Sequence, residues 1–421
     1  MMPARWVPLL YFAFAHVSLA VAFGALACRA QSLGGFFYHP RMLAVVHLVT
    51  LGWISASILG ALYVIGPLAL RMPMPAGPAD YAAFAGFAVG VAGMAGHFWI
   101  DSPLGMAWAA GPVAVAMVYV AVRGLRGLRA APVPLEARLP MGLAFFNMIA
   151  AAGLGLALGI NKVAPFLPVR HLDAVLAHGH LAALGWGAMM VIGAGYRMLP
   201  MILPAAMPRG AVAYASPLLL EAGVLALVWA FLAGRGHLWA AGLAVAGLAA
   251  FVSRVVWMLG HRRPPPTERR RPDWGTAHAL QSVLYLLVAC GLGLYLSAAE
   301  PSETTLALAH VYAVAGLVGF LSQIVVGVEG RVLPLFAWLW GFADRGHAEL
   351  PPPLHTAAVW PLQWLVFGCW TAGVPLLAFG LGRERADVMS LAAAALLVAV
   401  IASLANAIIV LRRLWRRPAQ W

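Results

Sequence analysis

Apolar residues fall into twelve long runs separated by short polar, Gly- or Pro-bearing breaks. Their limits are 7–28, 42–69, 81–101, 105–123, 140–162, 171–200, 211–233, 237–260, 275–298, 303–333, 355–381 and 388–411. At a helical rise of about 1.5 Å per residue, each run is long enough to cross a bilayer. The first is too long, and too closely followed by the others, to read as a cleaved signal peptide. The pattern predicts an all-α polytopic membrane protein of about twelve transmembrane helices. Composition agrees: hydrophobic residues are 63% of the 421, charged ones 10%, and mean hydropathy is +0.87. A soluble domain cannot cover that much apolar surface.

Within the runs, one pattern returns. From His180, Gly185, Trp186, Gly193, Tyr196 and Pro200 follow at offsets 5, 6, 13, 16 and 20. From His47 the same offsets give Gly52, Trp53, Gly60, Tyr63 and Pro67. A looser third copy aligns Gly-Val-Glu-Gly-Arg-Val-Leu-Pro at 327–334 with Gly-Ala-Gly-Tyr-Arg-Met-Leu-Pro at 193–200, and places His310 one helical turn before the equivalent of His180. Internal repeats fix architecture. The runs therefore divide into three blocks of four, with the His-bearing helix second in each: spans two, six and ten. We read one membrane domain with pseudo-repeats at about 1–130, 131–263 and 264–421.

The formal net charge of +13 would suggest a nucleic-acid partner in a soluble chain. Its placement gives a better account. With the N-terminus cytoplasmic, 20 of the 27 Lys+Arg fall on the cytoplasmic side and 7 outside, as the positive-inside rule asks. Arg123, Arg126 and Arg129 follow span four; Arg262, Arg263, Arg269, Arg270 and Arg271 follow span eight; Arg412, Arg413, Arg416 and Arg417 follow span twelve. These clusters mark the repeat borders and put both termini inside. The Pro- and Arg-rich stretch 261–273 reads as a cytoplasmic linker within one bundle, and 335–354 as a second loop, partly interfacial through Trp338 and Trp340. Cys28, Cys290 and Cys369 show no paired spacing, which disfavours structural zinc, iron–sulfur clusters and c-type heme.

The histidines carry the candidate chemistry. His178 and His180 stand two residues apart, so at about 100° per residue they point to nearly opposite sides of span six. In the topology above, His47, His180 and His310 lie about 5, 9 and 7 residues inside spans that all enter from the outside, roughly 8–14 Å below that surface. Ionisable groups at membrane depth are costly and face partners, and neutral imidazole binds heme iron well. His47, His178, His180 and His310 are the predicted cofactor- and metal-binding set. Glu221 reads as the lone carboxylate at membrane depth and a proton-relay candidate. His97 reads as an interfacial packing residue or a member of a metal site beside His47, and His16 reads similarly; His278 and His355 read as solvated or headgroup neighbours, and Tyr196 with Arg197 as interfacial anchors.

Span six, H-G-H-L-A-A-L-G-W followed by Y-R-M-L-P, resembles helix X of heme–copper oxidase subunit I, most closely of C-family oxidases and nitric oxide reductases. Span two, R-M-L-A-V-V-H-L-V-T-L-G-W, resembles helix II of the same proteins. Twelve spans in three blocks agree with that family. The resemblance implies that His178 holds a high-spin heme b, and that His180 with His47 holds a low-spin one. Arg41 and Arg170 lie just outside the His-bearing spans, where heme propionates would need cations; the alternative is that they are ordinary loop arginines. Two departures bear on this. The H-x-H helix is sixth rather than tenth, so His180 pairs with either His47 or His310. No adjacent His–His pair occurs and span seven has no histidine, so a complete copper site is not expected, nor is reduction of oxygen to water. Span ten is similar to the His-to-Gly-Arg stretch of the NnrS family, which is linked to nitric oxide stress.

The resulting expectation is a bacterial inner-membrane protein with one or two b hemes and no complete copper site. It is oxidoreductase-like, nitric oxide-related or electron-transferring. Its partners are the lipid bilayer, a cytochrome, quinol or other redox partner, a diatomic gas and further copies of itself, with no nucleic acid. The alternatives are a multi-pass transporter and a structural subunit of a respiratory complex. Parallel threefold repeats and few broken-helix signals speak against the transporter.

Overall fold

The protein is described here by a computed structural model covering residues 2–203, 205–207, 209–263, 272–342 and 357–415. Among the described residues, twelve helices are long and apolar enough to cross a membrane: Val7–Leu33, Pro40–Ala69, Pro78–Trp99, Pro103–Ala130, Leu135–Val163, His171–Met201, Ala211–Ala233, His237–Gly260, Trp274–Ala298, Glu303–Phe342, Trp360–Gly382 and Ala386–Arg413, hereafter spans one to twelve. No strand occurs among the described residues. The chain is an all-α, multi-pass membrane protein, as its hydrophobic pattern predicts.

The helices outrun the apolar runs because backbone hydrogen bonding continues into polar flanks. Span four carries on through Arg123, Arg126 and Arg129 to Ala130. Several spans begin on a proline, Pro40, Pro78 and Pro103, whose missing N–H costs nothing in the first turn. Asp80 caps span three by accepting from Gly77 N at 2.7 Å, and Arg123 Nη1 lies 3.3 Å from the same carboxylate. The largest departure from expectation is span ten, which reaches Phe342. Residues 335–342, expected in a loop, are therefore helical, while 343–354 lie outside the described residues. So do Arg269, Arg270, Arg271, His355, Arg416 and Arg417.

The chain forms two compact units. The first joins spans one, two, eleven and twelve with the first half of span nine and the greater part of span ten. The second joins spans three to eight with the remaining parts of nine and ten. In the first unit, span one packs against spans two and twelve, and span twelve against span eleven. In the second, span four packs against three and five, and span seven against six and eight.

One contact occurs three times. In each block the second span lies backbone-to-backbone on the first through a glycine of the repeat. A β-carbon at Gly60 would stand 3.2 Å from Pro8 O, one at Gly193 2.9 Å from Met141 N, and one at Gly327 2.8 Å from Gly275 O. Pro8, Met141 and Gly275 follow one another at intervals of 133 and 134 residues, the same intervals that separate the three glycines. A second row does the same. Gly52 presses on Ser18, Gly185 on Asn147 and Gly319 on Tyr285, where a β-carbon would stand 2.5, 2.9 and 2.4 Å from the nearest side-chain atom. In lipid, helices associate through such close approach of small residues, since apolar burial alone does not distinguish a helix from a lipid tail.

Spans two, six and ten share a further irregularity. Each winds as a π-helix, at Leu48–Ser55, Leu181–Ala188 and Val314–Ser322. These stretches also fall in repeat register, and the first two begin on the residue after His47 and His180. Few breaks inside the spans are apparent in the sequence, because π turns carry no proline or polar signature here. π-helical turns are rare and recur at functional sites.

The repeated contact makes a direct prediction. Gly193→Val forces a side chain into Met141 backbone and lowers stability by about 1–3 kcal/mol, the cost of overpacking. Gly142→Ala, on span five where nothing lies within 4 Å, leaves it unchanged. Thermal unfolding of the two variants in detergent checks this.

Candidate functional site

The second unit holds His178, His180 and His310, and the first unit holds His47. All except His178 make the same backbone bond. His47 Nδ1 meets Leu43 O at 2.7 Å, His180 Nδ1 meets Leu176 O at 2.8 Å, and His310 Nδ1 meets Leu306 O at 3.0 Å. A carbonyl only accepts, so Nδ1 carries the hydrogen and the neutral ring keeps its lone pair on Nε2. That is the tautomer and the anchoring found in metal-bound imidazoles. His16 and His261 bond Phe12 O and Trp257 O in the same way. The bond therefore sets the tautomer without marking a ligand. What singles out His47, His180 and His310 is their recurrence beside a π-helical stretch on the second span of each block.

The two histidines of span six go to different neighbours. The His178 ring lies over Gly155 of span five, where a β-carbon would stand 2.8 Å from its Cε1. His180 faces spans seven and ten: its ring is 4.9 Å from that of Phe231 and 6.0 Å from that of Tyr312. Tyr312 donates its hydroxyl to His180 Nε2 at 3.1 Å. Tyr312 in turn rests on Gly293 of span nine. His310 is buried, 7% exposed, while His47, His178 and His180 are partly buried.

An axial heme ligand needs a fixed imidazole with its Nε2 lone pair presented, and His180 meets both requirements. The fit has one condition. Its Nε2 now accepts from Tyr312, so coordination at that nitrogen replaces this hydrogen bond. Among the described residues, no three His, Cys, Asp or Glu side chains stand together as a ready metal site. The thiols of Cys28, Cys290 and Cys369 are unbridged.

Beside the histidines runs a polar link that the sequence reading did not contain. Asn147 of span five donates to Gly185 O at 3.2 Å and to Glu221 Oε2 at 2.7 Å. One amide thus ties the π-helical stretch of span six to the carboxylate of span seven. In repeat register Asn147 corresponds to Gln281 of span nine, in the first unit. Gln281 Oε1 accepts from Gln323 Nε2 of span ten at 2.9 Å and from Thr371 Oγ1 of span eleven at 3.0 Å. The first helix of each of these blocks carries an amide bridging the second and third. Tyr312 stands in the repeat position of His178, and reading the third copy gap-free through 314 would have found it.

Several other expectations need correction. Glu221 is not the lone carboxylate at depth: Glu329 of span ten is 5% exposed. Span ten runs on to Phe342, so this acid lies well inside the helix. His278 is neither solvated nor at a headgroup but 3% exposed, with Gln323 Nε2 at 3.3 Å from its Nδ1. His16 is buried at 2%. Tyr196 is fully buried and packs on Phe251 at 5.7 Å rather than anchoring an interface. Arg197 beside it donates from Nε to Ala69 O at 2.9 Å. His97 lies over Gly105 at the start of span four.

Compared with known proteins, the chain matches no family model and no curated sequence.

The Asn147 link is testable without any cofactor. Removing the amide leaves Gly185 O and Glu221 without their donor, at a cost of about 1–3 kcal/mol. Asn147→Ala and Glu221→Ala should show a favourable coupling of that order in a double-mutant cycle of thermal unfolding. A coupling of zero would mean the 2.7 Å contact carries no stability.

Proposed function

We propose that this is a membrane-embedded heme b protein of the oxidoreductase type, in which the repeated histidine helices present axial imidazoles. The observation that carries the reading is the three-fold recurrence of a histidine with its Nδ1 tied to the carbonyl four residues back, on the second span of every block. His180 is the best-defined donor, His47 is its repeat counterpart, His310 lies one turn before the equivalent position on span ten, and His178 is the donor on the other side of span six. A heme held by such residues supplies one-electron chemistry and, where an axial position stays open, binding of a diatomic gas such as nitric oxide. The protein's own part is to fix the imidazole tautomer through Leu176 O, with Tyr312 occupying the donor nitrogen only while no iron is bound there. The residues on the opposite faces of span six keep the two donors apart. The electron donor in this reading is a cytochrome or quinol.

The setting we infer is the bacterial inner membrane with both termini cytoplasmic. The basic residues support it, because Arg123, Arg126 and Arg129 at one end of span four and Arg412 and Arg413 at one end of span twelve follow the positive-inside pattern. A second reading, a transporter, has its own support in the π-helical stretches, which are local departures from α geometry inside three spans.

The spectrum of the purified protein separates the two. The heme reading expects the sharp α-band of low-spin heme b in a reduced-minus-oxidised difference. His180→Ala removes that band, His178→Ala spares it, and Tyr312→Phe keeps it because the hydroxyl is displaced when iron binds. A colourless preparation from heme-replete cells leaves the transporter. Equal loss of the band in His178→Ala and His180→Ala, with both variants folded, contradicts the separation of the two donors.

A further inference from the structure

The first unit contains a mostly apolar cavity with a few polar groups, which the heme reading does not use. It measures about 50 Å³ and is lined by Trp274 and His278 of span nine, Glu329 of span ten, Gln363 of span eleven, and Ser403 and Asn406 of span twelve. Glu329 is 5% exposed, and neither of its carboxylate oxygens has a hydrogen-bond partner among the described residues. Its nearest basic atom is Nδ1 of His16, from span one, at 3.6 Å. That nitrogen already donates to Phe12 O at 2.9 Å, and Nε2 of the same ring lies 3.4 Å from Ser403 Oγ. A carboxylate in this position without a donor is not a solvated surface group. It is a buried acid opening onto a space large enough for water.

Charge balance restricts what the pair does. The other charged groups nearby cancel: Arg331, two residues along span ten, pairs with Asp273 before span nine. His278 accepts from Gln323 at Nδ1, so its ring is neutral with the hydrogen on Nε2. The polar groups that spans eleven and twelve bring to the cavity are amides and a hydroxyl, with no titratable side chain among them. His16 and Glu329 are thus left as a two-member system, and a buried system of this kind avoids net charge. Neutrality is reached by holding one proton, either on the carboxyl with a neutral imidazole or on the imidazole beside a carboxylate.

We propose that His16 and Glu329 form a proton-exchange site, loaded and unloaded through the cavity. A hydronium ion reaching the cavity gives its proton to the carboxylate directly: one O–H bond forms at Glu329 as one breaks on the hydronium, which is left as water. Alternatively, Ser403 passes its hydroxyl proton to His16 Nε2 and takes one from the hydronium, which is again left as water. No electron moves in either step. The ligand is the proton, and the co-reactant is hydronium. Intramembrane acids with a histidine partner are the usual material of such relays.

Full-length protein in detergent or lipid vesicles tests this with dicyclohexylcarbodiimide, which adds to protonated carboxyls in apolar surroundings. Peptide mass spectrometry then locates the adduct. Labelling at Glu329 should fall about tenfold per pH unit above the midpoint of the pair, following the protonated fraction. His16→Gln should move that profile along the pH axis, whereas Glu303→Gln at the exposed end of span ten should not. Infrared spectra of the unsubstituted protein provide a readout that needs no variant. A carboxylic acid band should shift in heavy water and titrate over the same pH range as the labelling. Labelling of Glu329 that ignores pH, no labelling while Glu221 is modified, or an acid band that neither exchanges nor titrates would each overturn the proposal. None of these outcomes depends on heme.

Discussion

The close approach of the second span to the first in each block is the contact on which the rest of the structure depends. Where a side chain at Gly60, Gly193 or Gly327 would meet backbone, the two helices are held at a distance set by the main chain itself. Packing in lipid depends on such fits, because exclusion from water gives no preference for one helix over a lipid tail. The histidines lie toward the other end of the same spans, beyond the second glycine row. Their height relative to the first helix of each block therefore follows from backbone contacts rather than from adjustable side chains.

The π-helical stretches sit between those two anchors. Their i to i+5 bonding turns the residues beyond them away from where a continuous α-helix would carry them. At Leu181–Ala188 the stretch also leaves Gly185 O to accept from Asn147 instead of serving the ladder alone. The same amide holds Glu221, so a change at that carboxylate is felt at the backbone following His180. Gln281 repeats the arrangement in the other unit with Gln323 and Thr371, but with neutral partners on both sides. One structural device has thus been given an acid in one block and only amides and a hydroxyl in another. This is how repeated scaffolds diverge in chemistry while keeping their packing.

The fold was largely legible in the sequence. Twelve apolar runs give twelve spans, and the glycines common to the His47 and His180 copies prove to be contact points. What the sequence hid were features without a compositional mark. A π-helical stretch uses the same Leu, Gly, Ala and Trp as an α-helix. Glu329 lies among Gly, Val and Leu, six residues beyond Gln323, and the depth of a residue near the end of a run depends on where the helix stops. His278 and Tyr196 were assigned to interfaces from their position near span ends. Burial at those ends depends on neighbouring helices that no linear pattern names. Tyr312 stayed hidden for a different reason: the third copy is registered on its glycine and proline at 327–334, and a tyrosine at the position of His178 carries no mark of a ligand.

The histidine bonds show how far local geometry carries a functional reading. An imidazole on a helix reaches the carbonyl one turn back whether or not it will bind iron, and His16 does so as readily as His180. The bond fixes which nitrogen is left to accept, and the partner of that nitrogen then separates the roles. His180 Nε2 meets a phenol hydroxyl, a weak and exchangeable donor that a metal can displace. His16 Nε2 meets a serine beside a cavity, and its ring stands against a buried acid. In the roles proposed here, the same tautomer presents a ligand atom in one place and a proton acceptor in the other, because what differs is the acidity and mobility of the group it faces.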